Sequence, residues 1–172
     1  MRYSETLNIC QITTADSDLH LLRQVAEIEQ MLQLDNWSEQ QISELLQQDI
    51  NQCRGVLETD LSQTSEEKIV AYCLISTVFE VAEILRIGTH PEYQRRGLAA
   101  ALLQALIKVM PQKQLERILL EVRQDNVAAI ALYKKMGFEV IHVRKGYYSM
   151  SLKEGEGETK CDALIMQYEL TV

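Results

Sequence analysis

Apolar residues recur along this chain with two spacings, which predict helices and strands in a mixed α/β fold. Apolar positions three and four residues apart are typical of amphipathic helices, whereas alternation or short apolar runs between turn residues are typical of strands. Helical spacing covers residues 17–34, 37–48, 97–108 and 126–136. Strand patterns cover residues 7–12, 53–59, 68–77, 81–90, 117–122, 138–143 and 161–170.

The order of these elements changes near Pro91. The strands before this residue are typical of an antiparallel meander, and the later alternation of strands with helices indicates crossover connections. Ser38 and Gln41 have the spacing of a capping box, and Gly137 stands where a helix-terminating glycine is expected. We therefore expect one domain over residues 1–172, with a mixed sheet of about seven strands, an antiparallel N-terminal part and flanking helices.

Composition and charge narrow the classes of protein that fit. With 172 residues, 47% hydrophobic and 24% charged, the chain is typical of a globular protein with a buried core. It has neither the roughly 18 unbroken apolar residues of a membrane helix nor a signal-peptide pattern, so we expect a cytoplasmic protein without membrane contact. A net charge of −8 argues against phosphate-driven nucleic-acid binding. It is compatible with a basic partner, although most acidic proteins gain only solubility from such a charge. Oligomeric state is left open, and a monomer is the simplest expectation.

The cysteines and histidines do not have the spacing of a metal site. The four cysteines are scattered and show no CxxC pair, so we expect reduced thiols that pack as small hydrophobic groups, and no metal. The residues concerned are Cys10, Cys53, Cys73, Cys161, His20, His90 and His142.

Two arginines precede the third predicted helix, where the helix dipole favours acidic residues. Arg95, Arg96 and Gly97 stand at this helix start, and free backbone N–H groups beside a glycine and two cations suit an anion such as a diphosphate. The stretch lacks the lysine and hydroxyl of a Walker loop and does not fit GxGxxG, which disfavours a nucleoside triphosphate or a dinucleotide. On these residues alone, a solvated arginine pair at a turn is an equal alternative.

A carboxylate interrupts the apolar strand 117–122. Alternation puts Glu121 on the same face as Leu119. Such a carboxylate indicates either an ion pair, with Arg117 or Arg123, or a functional role with a raised pKa. The residues by themselves favour the ion pair.

A tyrosine follows small residues on the last predicted helix. Tyr133 comes after Ala128, Ala129 and Ala131, whose short side chains allow a narrow ligand to pass, and Asn126 lies two turns earlier on the same face. The alternative is a packing residue whose hydroxyl reaches the rim.

The segment RIGTHPEYQRRGLAAALLQAL, residues 86–106, resembles the acetyl-CoA-binding motif of the GNAT acetyltransferase family. The pattern Q/R-x-x-G-x-G/A falls on Gln94, Gly97 and Ala99, with alanine where many members have glycine. The resemblance implies a loop that cradles the pyrophosphate through backbone amides, after a strand that pairs with the pantetheine arm. The cofactor-binding residues implied are Ile87, Gly88, Thr89, Arg95, Arg96, Gly97, Leu98, Ala99, Ala100 and Asn126.

The segment LEVRQDNVAAIALYKKMGF, residues 120–138, is similar to bacterial ribosomal protein alanine N-acetyltransferases, which are GNAT enzymes. The likeness also takes in residues 37–41, 144–149 and 162–166. It implies that Glu121 is the general base and Tyr133 the general acid. It further implies acetyl-CoA as co-substrate and, as partner, the N-terminal peptide of a basic small-subunit ribosomal protein.

Three aromatic residues are candidates for the acceptor groove: Trp37, Tyr147 and Tyr148. The resemblance places the tyrosine pair in a loop beside the acceptor, and packing at the rim is the alternative reading. Asn36 stands where the subfamily has proline, and the loop over residues 151–160 is longer and more acidic. Because both differences lie on the implied acceptor side, a lysine side chain or a small amine stays open as the acceptor. A non-catalytic acyl-CoA-binding role is a further alternative, and the presence of both Glu121 and Tyr133 argues against it.

The chemistry implied is direct attack of an amine on a thioester. A protein α-amine has a pKa of about 7.7–8.0, so it must lose a proton, and Glu121 could take that proton through water. Backbone N–H groups near residues 87–89 could stabilise the oxyanion. Tyr133 could protonate the thiolate, because a phenol has a pKa of about 10. No covalent enzyme intermediate is needed, so Cys73 need not act as a nucleophile.

Overall fold

The computed structural model describes residues 8–33, 35–58, 67–151 and 158–170, and every predicted helix and strand is present in it. The helices are α1 (Leu19–Leu32), α2 (Glu39–Leu46), α3 (Leu98–Val109) and α4 (Val127–Lys135), with 3-10 turns at Asp16–Asp18 and Pro91–Tyr93. The strands are β1 (Asn8–Ile12), β2 (Asn51–Leu57), β3 (Ile69–Val78), β4 (Val81–Thr89), β5 (Arg117–Arg123), β6 (Glu139–Ser151) and β7 (Glu158–Glu169).

Within the described residues the strands form one mixed sheet in the order β1-β2-β3-β4-β5-β7-β6. The pairs β1/β2 and β2/β3 are antiparallel, as the meander predicts. Strands β4 and β5 are parallel over Val81–Ile84 and Arg117–Leu120, as a crossover through α3 predicts. Strand β7 lies between β5 and β6 and is antiparallel to both, so the last strand in sequence is not an edge strand of the sheet. This arrangement confirms the predicted fold class.

Contacts between Cα atoms group the chain into two units, and β4 contributes to both. The first unit comprises Met1–Thr77 and Leu85–Lys108, and the second comprises Val78–Ile84 and Val109–Val172. In the first unit the apolar face of α1 packs on α2 and on β1–β3. Its buried core is formed by Ile12, Leu21, Leu22, Val25, Ile28, Ile42, Cys53, Leu57, Ile69, Tyr72 and Leu74.

In the second unit, β5 alternates between buried and half-buried positions, which follows from a strand with one face on the core. Ile118, Leu120 and Val122 are buried. The ring of Phe138 packs between Tyr133 and Tyr168, with ring centroids 5.9 and 5.7 Å away.

The two predicted helix signals are confirmed. The Ser38 hydroxyl accepts a hydrogen bond from the Gln41 N–H at 3.3 Å, and the Gln41 side chain accepts one from the Ser38 N–H at 2.9 Å, which is a capping box. Gly137 has φ +91° directly after α4, the left-handed conformation that ends a helix.

The predicted loop at residues 144–149 is wrong, because these residues belong to β6. The register of β6 with β7 shifts between Arg144 and Tyr148, and Gly146 adopts φ +57° inside this bulge. A glycine beside charged residues is typical of a turn in sequence, whereas here it bends a continuous strand. The predicted glycine-rich loop at 151–160 is shorter than expected, since Ser151 and residues 158–160 are strand; residues 152–157 lie outside the described part of the chain.

The cysteines are free, and Cys53 and Cys73 are buried, as expected of small hydrophobic groups. Burial raises the pKa of the Cys73 thiol to about 12, which keeps it protonated. In the residues described, no helix has the length and apolar character needed to cross a membrane.

Candidate active site

The loop that leads into α3 presents backbone N–H groups at an open position. Arg95 has φ +63° and Gly97 has φ +82°. Left-handed residues in a turn are typical of loops whose backbone N–H groups bind anions. The Gly97 carbonyl accepts from the Ala101 N–H at 2.9 Å, so α3 begins directly after Gly97. The N–H groups of the first helical turn therefore have no acceptor within the helix.

Gly97 is required by its backbone conformation. A Cβ added there would meet no atom within 4 Å, so the space beside Gly97 is open. Arg95 occupies the left-handed region without being glycine, which costs about 1–3 kcal/mol and is typical of functional loops. The sequence did not predict this strained residue.

The side chain of Arg96 contacts the turn that precedes the loop. The Arg96 guanidinium donates to the Glu92 carbonyl at 3.0 Å and lies 4.8 Å from the centre of the Tyr93 ring. It is thus folded back on the preceding turn. Arg95 and Arg96 are both exposed. Their positive charges lie at the N-terminal end of α3, which the helix dipole also makes positive.

The strand segment before this loop, Ile87–Thr89, places a glycine against an aromatic ring. A Cβ on Gly88 would lie 2.6 Å from Cε1 of Tyr72 and 2.9 Å from Cδ1 of Leu32. Internal packing therefore demands glycine here, a reason that the sequence did not show. The register pairs of β4 with β5 extend as far as Ile84, so Ile87–Thr89 lie beyond them.

In the second unit, Glu121 lies on the half-buried face of β5 together with Leu119, as predicted. Its Oε1 accepts a hydrogen bond from the Tyr148 hydroxyl at 2.9 Å, and its Oε2 accepts one from Nη1 of Arg144 at 2.8 Å. The predicted ion pair exists, but its partner is Arg144.

The two arginines named from the sequence as partners of Glu121 pair elsewhere. Nη2 of Arg117 lies 4.0 Å from Oε1 of Glu80, and Nε of Arg123 donates to Oδ1 of Asp125 at 2.9 Å. Sequence proximity favoured these two arginines, whereas Arg144 comes close only because β6 and β5 flank β7.

Arg144 also joins the predicted acceptor tyrosines to Glu121. Its guanidinium lies 3.5 Å from the centre of the Tyr147 ring, and the rings of Tyr147 and Tyr148 meet edge to face at 5.0 Å. Tyr147 is 47% exposed. The structure thus brings Glu121, Tyr147 and Tyr148 together around a cation that the sequence analysis did not identify.

The bulge that positions these tyrosines is held by an aspartate of β7. The Asp162 carboxylate accepts from the Gly146 N–H and from Nζ of Lys145, both at 2.8 Å. This satisfies a backbone donor that the shifted register removes from the ladder.

Replacing Asp162 with asparagine should lower the melting temperature at neutral pH, and this loss should disappear in acid. The hydrogen bond from Lys145, with that from the Gly146 N–H, holds the pKa of the Asp162 carboxyl below its ordinary value. A carboxyl with a lowered folded pKa contributes stability above its unfolded pKa, about 3.9, and loses it as the pH falls through the folded value. Thermal melts between about pH 7 and pH 2 check this, with the exposed Asp49→Asn as control. A loss that does not change with pH would contradict it.

Tyr133 is 6% exposed, and it packs on Phe138 in the core of the second unit. Its role as general acid stays a prediction. Asn126 is the N-cap of α4, since its side-chain oxygen accepts from the Ala129 N–H at 3.2 Å. This capping role, worth about 1 kcal/mol, was not predicted.

Trp37 belongs to the first unit, where it stands over a buried ionic network. The Arg86 guanidinium lies 4.7 Å from the centre of the indole, and the backbone N–H of Trp37 donates to Oε2 of the fully buried Glu29 at 3.4 Å. Glu29 follows Leu22 by seven residues and Val25 by four, so it falls on the apolar stripe of α1. Its position on the apolar stripe was the feature of the sequence that could have identified this carboxylate as buried. Among the described residues, no three His, Cys, Asp or Glu side chains form a group that could hold a metal.

The sequence profile of the Acetyltransferase (GNAT) family matches residues 22–138, which include both the loop before α3 and Glu121. This chain belongs to the GNAT acetyltransferase family. It is therefore an acyltransferase, and the predicted family and fold are confirmed.

Two relatives are similar in sequence to this GNAT enzyme. It is 32% identical to the ribosomal protein bS18-alanine N-acetyltransferase of Escherichia coli (strain K12) over 145 residues, which are 84% of this chain and 88% of that protein. It is 45% identical to an N-alpha-acetyltransferase of Saccharolobus solfataricus over 67 residues, which are 38% of this chain and 40% of that protein.

Among the solved structures that share its fold are one from Escherichia coli and one from Arabidopsis thaliana. The crystal structure of the Escherichia coli ribosomal-protein-S18-alanine N-acetyltransferase has a TM-score of 0.78 and 28% identity, covering 97% of this chain and 96% of that one. Arabidopsis thaliana NAA60 in complex with acetyl-CoA has a TM-score of 0.77 at 19% identity, covering 96% and 99%. The second likeness is one of fold.

Proposed function

We propose that this GNAT enzyme is an acetyl-CoA-dependent Nα-acetyltransferase that acetylates the N-terminal alanine of a small-subunit ribosomal protein. The observation that carries the proposal is the cluster around Glu121, in which one carboxylate accepts from Tyr148 and Arg144 beside the exposed Tyr147. A base joined directly to aromatic side chains suits an acceptor that is an extended peptide. The relative from Escherichia coli, named as a bS18-alanine N-acetyltransferase, supports the same acceptor class.

The loop before α3 fits the pyrophosphate of acetyl-CoA. The open space beside Gly97, the left-handed Arg95 and the free amides of Leu98, Ala99 and Ala100 suit an anion. The charges of Arg95 and Arg96 would complement the diphosphate. The strand segment Ile87–Thr89 would hold the pantetheine arm, and Asn126 would contact the cofactor near the start of α4.

When it is bound, acetyl-CoA supplies a thioester whose carbonyl carbon is the electrophile. Glu121 would take a proton from the acceptor ammonium, directly or through water. Its hydrogen bonds with Tyr148 and Arg144 would fix the position of the half-buried carboxylate. Tyr133 would donate its phenolic proton to the leaving thiolate. Backbone N–H groups of Ile87–Thr89 would stabilise negative charge on the carbonyl oxygen. The amine would form the new C–N bond as the C–S bond of the thioester breaks, and its nitrogen would lose a second proton to solvent. Solvent would also take the proton from Glu121 and return one to Tyr133.

The acceptor side would use Trp37, Tyr147 and Tyr148 to position the first residues of the peptide. A net charge of −8 favours approach of a basic ribosomal tail. We further propose that the protein acts in the cytoplasm as a monomer. The family match runs through both units, which supports one acetyltransferase domain over residues 1–172.

A peptide assay tests the acceptor. The purified enzyme should release thiol from acetyl-CoA with alanine-starting N-terminal peptides of small-subunit ribosomal proteins, and tandem mass spectrometry should place the acetyl group on the α-nitrogen. Matched peptides with a blocked N-terminus and internal lysines serve as controls. Acetylation of these controls would favour a lysine acetyltransferase instead, and binding of acetyl-CoA without thiol release from any peptide would favour a non-catalytic module.

A further inference from the structure

A fully buried carboxylate lies beneath the predicted acceptor residue Trp37. Glu29, on α1, is 0% exposed, and burial raises the pKa of its carboxyl. Its Oε1 accepts from the Tyr72 hydroxyl at 2.7 Å, and its Oε2 accepts from the backbone N–H of Trp37 at 3.4 Å. The Nε of Arg86 completes an ion pair with it at 3.5 Å. Burial of an ionisable group costs several kcal/mol unless partners compensate, and here three do.

Arg86 connects this carboxylate to the segment between α1 and α2. Its Nη2 donates to the Asp35 carboxylate at 2.8 Å and to the Asp35 carbonyl at 3.3 Å. Its guanidinium also stacks over Trp37, at 4.7 Å from the ring centre. The Asp35 side chain is 69% exposed, so one guanidinium ties an exposed carboxylate and an indole to a buried anion.

Tyr72 connects the same carboxylate to the strand segment proposed to hold acetyl-CoA. Its ring is fully buried and lies so close to Gly88 that a Cβ there would be 2.6 Å away. The acceptor-side residues 35–37 and the strand segment 87–89 are therefore joined to one another through Glu29. All of these contacts lie within the first unit.

Stability alone does not account for this arrangement. A buried ion pair contributes about as much as, or less than, apolar residues of the same volume, but it specifies one geometry. We infer that Glu29 and Arg86 are positioning residues, which hold Trp37 and Asp35 in the orientation that binds the acceptor peptide. The inference rests on the proposed function for the identity of that peptide.

The test compares Arg86→Met and Glu29→Gln with the wild-type enzyme. We expect the KM for the alanine-starting peptide to rise about tenfold, while kcat stays close to wild type. The KM for acetyl-CoA should change less than the peptide KM, because both substitutions leave the packing of Tyr72 on Gly88 in place. The matched control is Arg23→Met: Arg23 lies on the same helix as Glu29 and forms an exposed ion pair with Glu39 of α2. Its loss should leave all three constants unchanged. If the wild type acetylates the peptide and both network variants keep its KM, the inference is wrong and the proposed function stands.

Fluorescence of Trp37 provides a readout that does not need turnover. Trp37 is the single tryptophan of the chain, so its emission and its quenching by acrylamide report on this segment alone. Loss of the Arg86 guanidinium should shift the emission and increase quenching in the absence of any substrate. Unchanged emission and quenching in Arg86→Met would overturn the inference even if no peptide is ever acetylated.

Arg86→Lys covers the case in which the methionine variant does not fold. Lysine keeps the charge beside Glu29 but lacks the planar fork that reaches Asp35 and stacks on Trp37. A folded Arg86→Lys enzyme with raised peptide KM and increased Trp37 quenching supports positioning. The same enzyme with wild-type values for both would overturn it.

Discussion

Replacing Glu121 with glutamine should lower kcat by about 100-fold or more, with little change in the affinity for acetyl-CoA. Glutamine retains the shape of the side chain and one acceptor oxygen for Tyr148 or Arg144, but it cannot take the proton of the acceptor ammonium. Steady-state kinetics with the alanine-starting peptide measures kcat, and calorimetry measures acetyl-CoA binding. Tyr133→Phe should lower kcat in the same way, because it removes the proton donor while keeping the ring that packs on Phe138.

The control is Glu139→Gln, which neutralises an exposed glutamate on β6 in the same unit and should have wild-type kinetics. It separates loss of the base from a general change in surface charge. Full activity in both Glu121→Gln and Tyr133→Phe would remove these residues from the proposed chemistry.

Replacing Gly97 with valine should weaken acetyl-CoA binding by about tenfold or more, equivalent to about 1.4 kcal/mol. The substitution places a branched side chain in the open space at this position and forces a left-handed φ of +82° on a residue that disfavours it. Calorimetric titration with acetyl-CoA measures the change.

Gly137 supplies the matched control for this prediction, because it also has a positive φ, +91°, at the end of α4. Gly97→Ala and Gly137→Ala should both lower the melting temperature, since each costs about 1–2 kcal/mol of backbone strain. Weaker binding of acetyl-CoA is expected in the Gly97 variants alone. Equal affinity in Gly97→Val and wild type would exclude the loop as the pyrophosphate site.

The sequence predicted part of the loop before α3 and part of the surroundings of Glu121. The loop before α3 was predicted with its glycine, because a glycine at a helix start has a local conformational reason. The left-handed Arg95 was not predicted, since a non-glycine residue seldom adopts a positive φ. Glu121 was correctly placed on its strand face by alternation, whereas its partner Arg144 was missed.

Long-range pairing explains most of what was missed. Asp162 holds Gly146 across β6 and β7, and no local pattern distinguishes this bulge from a turn. Glu29 interrupts the apolar stripe of α1, and its partners Tyr72 and Arg86 lie on the strands β3 and β4. In each case the missing information was which distant residue lies opposite.

The amino-acid sequence by itself determined the helices and strands, the mixed sheet and the family, because hydrophobic spacing, caps and the glycine loop act over a few residues. Only the tertiary structure decided the partner of Glu121, the course of β6 through the tyrosine pair and the buried network under Trp37. These features depend on residues that are distant in sequence and meet through strand order and register. The spacing of side chains along one strand does not show which residues of another strand lie opposite it.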